Sequence, residues 1–115
     1  MGTARKQEAN ERITDRYIVA FAGKIWQDQP KIAEKISQEA SKIIRIAHRS
    51  NSIFFSGRSK RGVVAGLFYC LGLSLGSFKT QREIARCLST TEMTVRAFSR
   101  EWPKQFPKLV KCESD

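Results

Sequence analysis

Met93, Arg96 and Arg100 recur at intervals of three and four residues, so a helix carrying them lines all three side chains along one face. A guanidinium can give two parallel hydrogen bonds to a guanine edge, which is the chemistry of base readout in a DNA major groove. Val95, Phe98 and Trp102, interleaved at similar spacing, supply an inward apolar face. Upstream, Thr80 with Glu83 three residues on forms a capping box. The hydroxyl accepts from a free backbone N–H while the carboxylate reaches back to the cap's own N–H. The helix it starts carries Ile84, Ala85 and Leu88 on one side, and Ser89-Thr90-Thr91 then offers a turn and a second N-cap. Two short helices, a tight polar turn between them and a basic outer face on the second spell a helix-turn-helix over residues 80–102. Capped amphipathic pairs also occur in helical domains that never meet DNA, so charge must add to the argument.

Charge does add to it. The 115 residues hold 21 Lys and Arg against 11 Asp and Glu, a net charge of +10 with a pI near 10.0, which favours polyanionic partners without specifying a fold. Between Phe78 and Lys111, eight basic residues face three acidic ones, half of the net charge in less than a third of the chain. The length suits one domain with a single core. Cys70, Cys87 and Cys112 are an odd set without C-x-x-C spacing, and His48 is the one histidine, so neither a zinc site nor a disulfide framework is expected. Cys70 reads as a small buried hydrophobe in a reducing compartment. An enzyme is not expected, nor any cofactor: no nucleophile stands beside a base and no Gly-rich loop cradles phosphate.

The elements that must position the basic face come before it. Residues 1–12 are polar without apolar period and read as a flexible leader; 13–110 read as one domain and 111–115 as a tail. From Thr14 a helical stripe carries Tyr17, Ile18, Phe21, Ala22 and Ile25, closed by Trp26. Pro30 restarts the chain as a second helix to about His48, with Ile32, Ile36, Ala40, Ile43, Ile44 and Ala47 inward and Lys31, Glu34, Lys35, Gln38, Lys42 and Arg45 in water. Arg49 to Gly57 reads as an irregular connection whose Ile53-Phe54-Phe55 either tucks under the domain or forms an exposed docking patch. Val63 to Leu75 is apolar or small almost throughout, so a third helix is buried on all sides and serves as the hub. It is too short to span a bilayer, and Gly62, Gly66 and Gly72 within it point to close approach of neighbours. Pro103 and Pro107 are expected to end the last helix after Trp102. The fold is all-α, with five helices.

The run Ser56-Gly57-Arg58, Gly62, Tyr69, Gly76, Lys79-Thr80-Gln81-Arg82-Glu83-Ile84-Ala85 and Thr91-Glu92-Met93-Thr94-Val95-Arg96 resembles the second cyclin-like repeat of archaeal transcription factor B and eukaryotic transcription factor IIB. The resemblance is ungapped from about Ser56 to Trp102. It implies a five-helix cyclin-like domain with a buried third helix, whose final helix-turn-helix reads the promoter element upstream of the TATA box. It also implies docking on the TATA-binding protein, an indirect link to RNA polymerase, no membrane, and a monomer. The location implied is the nucleoid-associated cytoplasm of an archaeon, or the nucleus of a eukaryote.

Position by position, the resemblance places Met93 and Arg96 where side chains reach bases, with Arg100 beside them. Thr80, Gln81 and Arg82 fall at the phosphate-facing helix start, joined by Lys60, Arg61, Lys79 and Thr94 as further phosphate contacts. Met93 stands where the family has valine, and Lys60 where it has proline. One repeat is matched and the family's zinc ribbon, linker and first repeat are not, so the chain reads either as the C-terminal domain of a longer factor or as a diverged single-repeat protein. The competing reading is a cyclin-type protein adaptor with only non-specific DNA affinity.

Overall fold

The computed structural model describes residues 13–112, and the leader expected over residues 1–12 lies outside them. Helix α1 spans Asp15–Ile25, α2 Pro30–Ser50, α3 Lys60–Ser74, α4 Gln81–Leu88 and α5 Glu92–Gln105, with a short 3-10 turn at Ser52–Phe55. Local chemistry sets the starts. Thr14, Ser59, Thr80 and Thr91 each accept a backbone N–H of the helix that follows, and Pro30 occupies the first turn of α2, where its missing N–H costs nothing.

Helix α3 is the hub. Every residue from Gly62 to Gly72 is buried, and α2, α4 and α5 all pack on it. Its closest neighbour is α5, and glycine is the reason. A Cβ on Gly66 would lie 2.4 Å from Phe98 Cβ and 2.7 Å from the Phe98 carbonyl carbon, while one on Gly62 would lie 2.8 Å from Thr94 Cγ2. Two indoles pin the arrangement: Trp102 Nε1 donates to the Val63 carbonyl at 2.8 Å, and Trp26 Nε1 donates to the Ser77 carbonyl at 2.9 Å. Both tryptophans are fully buried, so these bonds remove polar atoms that would otherwise be stranded in the core.

Two details differ from the sequence reading. Helix α5 continues through Pro103 to Gln105, because a proline near the end of a helix forfeits only one bond, that to the Ser99 carbonyl. The segment after Arg49 is also more regular than expected. Helix α2 reaches Ser50, and the 3-10 turn then splits the apolar triplet, burying Phe54 and Phe55 against Trp102 and Phe106 while Ile53 stays 79% exposed. A lone exposed isoleucine is not a docking patch. His48 ends up stacked on Phe55 at 4.7 Å in the last turn of α2. Past α5, Phe106 and Val110 fold back onto the core. Among the described residues no helix is long and apolar enough to cross a membrane.

Candidate nucleic-acid interface

Helices α4 and α5 are joined by three residues, and the turn is made by Ser89 at φ 55°, ψ 47°. That left-handed conformation lets the Thr90 N–H reach back to the Ala85 carbonyl at 2.9 Å and releases Thr91 to cap α5. The capping box at the start of α4 is complete: Thr80 N–H donates to Glu83 Oε1 at 2.8 Å, and Glu83 N–H donates to Thr80 Oγ1 at 3.0 Å. Ile84, Ala85 and Leu88 of α4 and Val95, Ser99 and Trp102 of α5 are buried, fixing both helices to the hub. The inward face of α5 thus includes Ser99, whose hydroxyl donates to the Arg96 carbonyl at 2.8 Å, while Phe98 is half-buried over the glycines of α3.

The outward face carries the three side chains picked out by spacing. Met93 is 76% exposed, and Arg96 and Arg100 are exposed along the same helix. Arg96 Nε donates to Gln81 Oε1 at 3.3 Å, joining the middle of α5 to the first residue of α4. With Nε occupied, the four N–H bonds on the two terminal nitrogens remain for an outside acceptor. Arg82 Nε donates to Glu92 Oε2 at 3.2 Å, a second bridge between the helices. Behind these residues Tyr69, Gln81, Arg96, Ser99, Arg100, Pro103 and Cys112 line a cleft of about 360 Å³.

The remaining residues expected near phosphate are placed less openly. Lys79 is half-buried, its Nζ 3.6 Å from Asp28 in the turn between α1 and α2. Thr94 turns its methyl toward Gly62, and its hydroxyl oxygen accepts from Thr91 Oγ1 at 2.9 Å. Lys60 sits two residues before Gly62, about 200° around α3 from the side that meets α5. Its ammonium lies 4.7 Å from the centre of the Tyr17 ring. Arg61 is exposed beside it, and its charge partly offsets the burial that pushes the Tyr17 phenol up.

Sequence spacing did not single out Arg58 for this surface. It pairs with Glu101 of α5 and lies over both Phe54 and Phe98, at 5.3 and 5.6 Å, clipping the 3-10 turn to the last helix. No periodicity marks it, because its partners are 4, 40 and 43 residues away in the chain. Among the described residues no cluster of three His, Cys, Asp or Glu is placed to hold a metal.

The sequence matches the family described as the transcription factor TFIIB repeat over residues 8–103. The transcription initiation factor IIB of Pyrococcus horikoshii is 38% identical over 80 residues, covering 70% of this chain and 24% of that protein. That of Archaeoglobus fulgidus is 34% identical over 65 residues, covering 56% and 19%. That of Haloarcula vallismortis is 30% identical over 81 residues, covering 70% of this chain and 65% of the relative. The chain thus spans about a quarter of the length of the Pyrococcus relative it matches. No solved structure matches it significantly.

Proposed function

Because the chain belongs to the transcription factor TFIIB repeat family, we propose that it is the promoter-DNA-binding module of a transcription initiation factor, non-enzymatic, with α5 entering the major groove upstream of the TATA box. Arg96 is the principal base contact, Met93 meets the methyl-bearing edge beside it, and Arg100 extends the contact along the groove. Gln81 and Arg82, at the start of α4, take the phosphate backbone together with the Thr80 end of that helix. Lys79, Lys60, Arg61 and Thr94 lie at the margin. Lys79 must exchange Asp28 for phosphate, and the Glu83 carboxylate already neutralises part of the α4 N-terminus.

The observation that supports this reading is the seating of Arg96: solvent-exposed, steadied by Gln81 through Nε alone, with no hydrogen bond from its two terminal nitrogens among the described residues. The adaptor reading offered the apolar triplet after α2 or the basic surface as its docking site; two of the triplet's three side chains are buried, which leaves that reading the basic surface alone. A single small domain binds DNA weakly unless a partner holds the duplex bent, so micromolar binding strengthened by the TATA-binding protein is expected. The test is a titration of labelled upstream-element duplex with and without that protein. Tighter binding in its presence supports docking; equal affinity contradicts it.

A further inference from the structure

Helix α2 carries a second cationic feature that the α4–α5 surface does not use. Lys31, Lys35, Gln38, Lys42, Arg45 and Arg49 recur at intervals of four, three, four, three and four, so all six fall within about 40° of one line along the helix. All are exposed, and the line lies diametrically opposite the buried residues Ala33, Ile36, Ala40, Ile43, Ile44 and Ala47. Five cations therefore stand in a row about 27 Å long, at 1.5 Å rise per residue. The acids of the helix, Glu34 and Glu39, flank the row without entering it. Among the described residues, the ion pair that touches the row is Arg45 with Asp15 of α1, at 3.8 Å and both side chains largely in water. The row is carried by a different helix from Arg96: α2 and α5 each pack on α3 and are not a main packing pair themselves.

We infer that this row is a second, sequence-independent surface for the backbone of double-stranded DNA, so that one copy of the chain holds two duplex segments. Charge complementarity names the partner class. A duplex presents a phosphate about every 3.4 Å of axis on each strand, so about eight per strand lie within the row's length. What the row lacks favours DNA over an acidic protein. No aromatic or aliphatic side chain interrupts it, and protein interfaces draw most of their energy from such buried anchors. Three of the five cations are flexible lysines, and these with Arg45 and Arg49 suit phosphates strung along a backbone rather than base edges, which call for convergent, rigidly held donors. Binding of DNA by the row does not depend on the role proposed for Arg96, because no residue is shared; the count of two duplexes rests on the proposed α5 surface as well.

The experiment is a stoichiometric titration of the full chain with a short duplex at several salt concentrations, using wild type, the triple variant Lys35→Gln/Lys42→Gln/Arg49→Gln, and Arg96→Ala. These exposed residues are replaced by a good helix former, and a thermal melt followed by circular dichroism confirms the fold. Wild type is expected to bind two duplexes per chain. The triple variant should bind one, losing the weaker event, while Arg96→Ala keeps the event that the triple variant loses. In wild type that weaker event should carry a steep log–log salt slope, about 4.5 for the five cations at about 0.9 each. Saturation of wild type at one duplex whose affinity the triple substitution leaves unchanged, or two duplexes on the triple variant, overturns the inference. So does displacement of the weaker duplex by polyglutamate more readily than by a DNA competitor of equal charge, which would assign the row to an acidic protein. If the α5 reading alone is wrong, Arg96→Ala leaves base preference unchanged while the α2 event behaves as described.

Discussion

Cys70 donates its thiol hydrogen to the carbonyl oxygen of Ser99, with Sγ and O 3.4 Å apart in the centre of the α3–α5 contact. That carbonyl is the one whose helical partner would be the N–H of residue 103, and residue 103 is proline. The thiol of one helix thus fills a vacancy that proline leaves in the next. The neighbouring Cys112 side chain, and then burial, push the Cys70 thiol far above its ordinary value, so it stays protonated.

Cys70→Ala should therefore cost about 1 to 3 kcal/mol in urea unfolding, the range for stranding a buried acceptor. In a Pro103→Ala background the missing N–H returns, and the same cysteine substitution should cost clearly less. A double-mutant cycle measures the difference, and additivity would show that the two residues do not share the carbonyl.

The glycines of the helices make opposite predictions. Gly66→Ala places a methyl group 2.4 Å from Phe98 Cβ and 2.8 Å from the Ser99 backbone nitrogen, which only separation of α3 and α5 can relieve. A loss of about 1 to 3 kcal/mol or more is expected. Gly23→Ala in α1 meets nothing within 4 Å and should gain about 0.5 to 1 kcal/mol from helix propensity. Denaturant midpoints of the two variants moving in the same direction would contradict the packing described.

How much of this could be read from the sequence divides by range. Caps act within three residues, so Thr80 with Glu83 and the Thr91 cap were visible, as was α3, whose uninterrupted apolar run has no other stable setting. The Met93, Arg96 and Arg100 face followed from the helical period. Tertiary pairings were not visible. Lys79 looks like any basic residue beside a cap until the fold brings Asp28 to it, and Lys60 looks free until Tyr17 of α1 lies beneath it. Pro103 was misread as a stop because the rule against interior proline weakens near a helix end, where few bonds remain to be lost.

Tyr17 gives a pH prediction. Its hydroxyl is enclosed and has no hydrogen-bond partner among the described residues, and burial, partly offset by Arg61, raises its pKa above the ordinary 10.0. The unfolded chain releases this proton near that value while the folded chain retains it. The contribution to stability is therefore full below about pH 10 and declines as pH rises through the folded value. Tyr17→Phe should remove this part of the alkaline decline and raise stability near neutrality by about 1 kcal/mol by relieving the unpaired hydroxyl. Urea midpoints of both proteins from neutral pH to about pH 11 check it, and parallel profiles would contradict it.

The central claim is that α5 reads bases through Arg96. The direct measurement compares wild type and Arg96→Ala on a set of duplexes differing one base pair at a time across the upstream element, at fixed salt. The account predicts that Arg96→Ala loses about 1 to 3 kcal/mol on the preferred duplex and flattens discrimination at one position, leaving the others unchanged. Wild-type affinity for every duplex, or a uniform loss with discrimination intact, would contradict it.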